Sequence, residues 1–147
     1  MDQKRFKKDL QKIIEICKDG VKGYETAAEN IQNDGMKTLF LRLSQQRKAF
    51  IEDLKNEALK LGIEPEESAS TQGFFHRSWI ATKAVFSSNT NEKVIEESMT
   101  GEKAALETYD EVLGASEIPG YLKELLEEQQ RLIKVAIQQL SGLKTEV

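Results

Sequence analysis

The chain has 147 residues, 39% of them hydrophobic and 31% charged, with 21 basic and 25 acidic side chains and a formal net charge of -4. A chain of this length buries roughly 70% of its unfolded surface, so residues 1–147 read as one soluble domain that needs no disulfide or structural metal. The single cysteine, Cys17, excludes an intrachain disulfide, and the single histidine, His76, excludes any mechanism built on two imidazoles. The absence of an apolar leader or an 18-residue apolar run predicts a cytoplasmic protein with no membrane partner.

Phe6, Leu10, Ile13, Ile14, Cys17, Val21, Tyr24, Ala28 and Ile31 recur every three or four residues, the stripe of an amphipathic helix. Asn33-Asp34-Gly35 ends it. A second helix carries Met36, Leu39, Leu43, Phe50, Leu54 and Leu61 up to Gly62, and the short turn makes the two antiparallel neighbours. Residues 62–73 are polar and small, Phe74–Phe86 are apolar at helical spacing, and Ser87 to Asn91 form a second polar stretch ending in an N-cap candidate. A third helix follows with Val94, Ile95, Ser98, Glu102, Ala105, Tyr109 and Val112. After the break from Gly114 to Gly120, Ser116 ahead of Pro119 marks the start of a fourth, with Leu122, Leu126, Gln129, Ile133, Ala136, Ile137 and Leu140.

Connection lengths choose the topology. A helix of ~24 residues is ~36 Å long, and an extended chain returns along it in about eleven residues. The crossover at about 62–90 is far longer than that, so the second and third helices can run parallel. The expected fold is all-α: a ferritin-like four-helix bundle of two antiparallel hairpins joined by one long crossover that carries a short helix. Similarity between the hairpins, at a shift of 81 for the first and third helices and near 83 for the second and fourth, predicts a pseudo-twofold axis.

Three polar residues interrupt the apolar seams near mid-helix: Gln46, Glu102 and Gln129. The repeat sets Val21 in the fourth matching position. A buried carboxylate without partners is costly, and two accounts of this layer compete. In one it is the place of a di-metal site, which in such bundles takes one Glu from each of two helices and a Glu-x-x-His pair from each of the others. Those slots fall on Val21, Gln46, Ala49, Glu102, Gln129 and Leu132, leaving one carboxylate and no imidazole. In the other, favoured account, the amides of Gln46 and Gln129 satisfy Glu102, with Arg47 or an ordered water as further partners. Glu102→Gln is then expected to cost only about 1 to 2 kcal/mol. No metal or other cofactor is expected; iron or manganese enters only under the first account.

Several segments together resemble a known family: Cys17-Lys18-Asp19-Gly20, Gly23-Tyr24, Ala27-Ala28-Glu29, Gln46-Arg47 with Phe50, His76-Arg77-Ser78-Trp79 with Lys83, and Gly101-Glu102 with Ala104-Ala105 and Tyr109. The family is a bacterial domain of unknown function whose members look like ferritin-like four-helix bundles. The resemblance spans essentially the whole chain and implies the fold without an activity. It also implies Gly-Glu where this chain has Gly20-Val21, and Cys where it has Ser98, so a further metal donor is missing.

The crossover concentrates aromatics at Phe74, Phe75, Trp79 and Phe86. One reading pins this segment across the bundle as a cover; the other makes it a homodimer or partner interface centred on His76, Arg77 and Trp79. Cys17 lies on the apolar stripe and reads as an inert thiol. The basic residues Lys4, Arg5, Lys7, Lys8 and Lys12 alternate with Asp2 and Asp9 in a net acidic chain, a solvated face rather than a nucleic-acid site. The expected function is a non-catalytic interaction or stress-associated accessory protein that self-associates. The alternative is a metal-dependent oxidase, ferroxidase or iron-handling protein built around Glu102, with Glu25 or Glu29.

Overall fold

A computed structural model describes residues 3–64, 91–115 and 118–144. They form four helices: α1 (Gln3–Asn30), α2 (Asp34–Lys60), α3 (Asn91–Ala115) and α4 (Gly120–Lys144). Among the described residues there is no strand, and no helix is long and apolar enough to cross a membrane. The apolar segment at 74–86, with His76, Arg77 and Trp79, lies outside the described residues.

Local chemistry places the helix ends. Asn33 has extended backbone, and its side chain accepts from the Met36 N–H at 2.9 Å, capping α2. At the other end Gly62 takes a φ of +72°, the left-handed conformation that lets the chain fold back. The Ile63 N–H then reaches the Ala58 carbonyl at 2.9 Å. α4 runs from Gly120, and the Pro119 carbonyl accepts the Lys123 N–H at 2.9 Å; Ser116, read as the helix start, lies outside the described residues. Asn91 is the first residue of α3, and its Oδ1 accepts from the Gln32 N–H at 2.9 Å, tying the start of α3 to the end of α1.

Pairings between helices give their directions. Gln32 meets Asn91, Cys17 meets Tyr109, and Lys12 meets Glu111 at 3.6 Å, so α1 and α3 are antiparallel. Glu96 pairs with Lys144 at 3.3 Å and Asp110 with Gln130, so α3 and α4 are antiparallel too. The short turn after α1 reverses the chain into α2, so α2 and α3 run in the same direction, an arrangement the crossover length allows.

The core divides in two. One cluster gathers Phe6, Leu10, Ile13, Phe50, Leu54, Tyr109, Leu122 and Leu126; the other gathers Tyr24, Ile31, Phe40, Leu43, Val94, Ile95, Ala136 and Leu140. On α1 the divide falls between Cys17 and Tyr24, on α2 between Leu43 and Phe50, and on α3 between Ile95 and Ala105. The buried residues in that interval include Gly20, Ser44, Arg47, Ser98 and Glu102. A polar belt therefore crosses the middle of an otherwise apolar bundle.

Candidate functional site: the polar centre of the bundle

Along α2 the buried residues Met36, Phe40, Leu43, Arg47, Phe50 and Leu54 succeed one another by four and three, a continuous seam. The central slot belongs to Arg47. The sequence reading assigned it to Gln46, which is only half-buried, with an Oε1 that has no hydrogen-bond partner among the described residues. Both positions lie three or four residues from Leu43 and from Phe50, so spacing to those two cannot choose between them. Ser44 and Ile51, also buried, extend the stripe around the side that carries 47. A long apolar stem and a charge matched across the seam then make Arg47 the stable choice.

That match is Glu102 of α3. Arg47 is 1% exposed and Glu102 0%. Arg47 Nη1 donates to Glu102 Oε1 and Nη2 to Oε2, each at 2.5 Å, the fork geometry in which guanidinium and carboxylate are most complementary. The rings of Tyr24 and Phe50 lie 5.7 and 5.5 Å from Arg47 Cζ, within cation–π range. Burial opposes the Arg47 charge, but the Glu102 carboxylate and its hydrogen bonds outweigh that penalty and hold the guanidinium above its ordinary range. Gly20 of α1 completes the enclosure: a Cβ there would stand 3.3 Å from both Cγ and Nη1 of Arg47.

Gln129 does not serve Glu102 either. Its Nε2 donates to the Phe50 carbonyl at 3.3 Å, which turns its Oε1 toward the Tyr109 hydroxyl, the donor at 2.7 Å. Cys17 Sγ lies 3.3 Å from the same hydroxyl. Because the phenol proton goes to Gln129, the thiol donates to the phenol oxygen. A directed chain thus runs from Cys17 on α1 through Tyr109 on α3 and Gln129 on α4 to the backbone of α2. Burial pushes the Cys17 thiol up to about 11 and, with Cys17 beside it, the Tyr109 phenol well above its ordinary value. Tyr24 is raised in the same way, by burial and then by Glu102. All three are neutral at pH 7.

The remaining slots of a di-metal arrangement are not assembled. Ala49 is exposed, and Val21 and Leu132 are half-buried hydrophobics packed on the first apolar cluster. Glu25 and Glu29 are exposed, and Glu25 faces Lys48 at 3.8 Å. Among the described residues no group of three or more His, Cys, Asp or Glu side chains is placed to hold a metal ion. Both oxygens of the one central carboxylate are engaged by Arg47. These residues do not fit a di-metal centre.

A second pair of buried carboxylates, to which sequence reasoning gave no role, lies on α1. Glu15 accepts from Gln11 Nε2 at 2.9 Å and has Lys18 Nζ at 3.9 Å. One turn on, burial and then the Glu15 charge push Asp19 up to about 7, against the opposing pull of Lys22. The signal for the central pair was available: opposite charges on two mid-helix seams. The signal for Glu15 and Asp19 was not, because periodicity marks one face and these residues lie beside it.

The model of a family described as a domain of unknown function, DUF2383, matches residues 6–115. That span includes Cys17, Gly20, Tyr24, Arg47, Phe50, Glu102 and Tyr109, and leaves out Gln129. No curated protein matches the chain.

Proposed function

Because the chain belongs to the DUF2383 family, whose description assigns no activity, we propose a function from the chemistry of its own centre: a ferritin-like bundle that is a non-catalytic interaction or accessory module. The observation that carries this reading is the buried Arg47–Glu102 fork. A catalytic or metal-handling centre in a helical bundle needs a polar group with free coordination or proton-transfer capacity. Here both oxygens of the central carboxylate are engaged by Arg47, and the thiol and phenols beside it are protonated and buried. Among the described residues, contact with a partner or ligand is left to the outer faces of the helices. Parallel α2 and α3, joined by a long connection, support the ferritin-like description.

Elemental analysis of untagged protein tests the proposal, together with ferrous oxidation measured against buffer. The expected result is no stoichiometric iron or manganese and an oxidation rate equal to buffer. Close to two metal ions per chain, or a rate lost in Glu102→Ala, would restore the oxidase reading. Self-association and a cytoplasmic location belong to the same proposal; sedimentation of the full chain across a concentration series tests the first.

A further inference from the structure

We infer that the polar centre is a guanidinium cradle in which Arg47 is the resident cation, selecting a planar, singly charged group over a metal ion. The inference rests on the geometry of the centre and not on the proposed function.

Shape is the first argument. Space for the Arg47 stem and Nη1 exists because residue 20 has no Cβ; an added one would press on both at 3.3 Å. Surroundings are the second. Tyr24 and Phe50 present rings 5.7 and 5.5 Å from Cζ, surfaces that suit the weakly hydrated guanidinium better than a strongly hydrated ammonium or divalent ion. Arg47 Nε is buried without a hydrogen-bond partner among the described residues, a dry setting that a cation with its charge spread over a plane bears better than a compact one. Directionality is the third, since Glu102 offers its two oxygens side by side to two parallel N–H donors.

Charge balance decides the valence. The Glu102 carboxylate is balanced by one guanidinium, with no proton having to leave a neighbouring group. A divalent ion would need a second anion, which only the buried Cys17 thiol or a buried phenol could supply by losing its proton.

The test empties the cradle and refills it from solution. Thermal melting of full-length Arg47→Ala is followed in millimolar guanidinium or methylguanidinium, with potassium chloride, urea, zinc and manganese as comparisons. The expected result is a rise in Tm with the guanidinium ions alone, absent in wild type and in Arg47→Ala/Glu102→Leu. No rise, or an equal or larger rise with a divalent metal, overturns the inference. Should Arg47→Ala not fold, Arg47→Lys carries the test: it keeps the charge, loses the fork and is expected to lower Tm. A Tm equal to wild type in Arg47→Lys overturns the cradle. Metal found elsewhere in wild-type protein would sink the proposed function and leave this result standing.

Discussion

At the scale of single residues, the buried fork changes what substitution at Glu102 should do. Were Glu102 satisfied by two amides, Glu102→Gln would be mild. With Arg47 as its partner, the same change strands a buried guanidinium, and removing either member of such a pair costs about 3 to 5 kcal/mol. Urea denaturation is expected to show that loss in Glu102→Gln and in Arg47→Met. The double replacement Arg47→Met/Glu102→Leu is expected to be neutral or more stable than wild type, because no charge is left to desolvate. A mild Glu102→Gln would mean that the amides, and not Arg47, satisfy the carboxylate. Cys17 gives a second prediction. Buried and held up to about 11, it has almost no thiolate at pH 8 and no path to reagent. Alkylation by iodoacetamide should be undetectable in native protein and complete in urea; rapid native labelling would contradict the packing of α1 against α3.

At the scale of elements, the α1–α2 hairpin depends on its cap. Asn33 Oδ1 satisfies one of the amides that the start of α2 leaves open. Asn33→Ala should therefore lower stability by about 1 kcal/mol, read as a shift in the urea midpoint without a change in slope. An unchanged midpoint would show that solvent satisfies the Met36 amide equally well. The helices themselves were legible in the sequence because strict three- and four-residue spacing, cut by Asn-Asp-Gly and by Pro119, leaves little choice of element. Their boundaries were legible to within a few residues. What periodicity could not decide was which of two adjacent side chains faces inward. Gln46 and Arg47 fit the same seam, and the choice was made on α3 by Glu102, a residue 55 positions away.

At the scale of the whole molecule, folding stability is coupled to pH through Asp19. Its ordinary value is 3.8, and in the folded chain burial and Glu15 raise it to about 7. A raised carboxyl binds its proton more tightly when folded, so its contribution to stability is complete below about 3.8 and is lost as pH rises through about 7. Wild-type protein should thus have a lower urea midpoint at pH 8 than at pH 5. Asp19→Asn, permanently neutral, should remove most of that difference and exceed wild type at pH 8. A pH slope unchanged in Asp19→Asn would assign the titration to another group. The neutral hydrogen-bond chain from Cys17 to the backbone of α2 should contribute nothing to this slope, since its groups titrate far above the window.

Order of apolar residues along the chain, the punctuation between them and the length of the longest connection are local or nearly local quantities. They were enough to read the four helices of the described residues and their two hairpins, and to allow a second and third helix running the same way. They also located the polar belt, because a glutamate and glutamines on an apolar seam stand out without any partner being known. Who partners whom was decided only by the tertiary structure. Hydrogen bonds and charge pairs across a bundle depend on axial offset and rotation between helices, and a single residue's turn of about 100° exchanges one seam occupant for the next. That rotation gave the central carboxylate an arginine, sent Gln129 to Tyr109 and the backbone of Phe50, and left Gln46 at the edge.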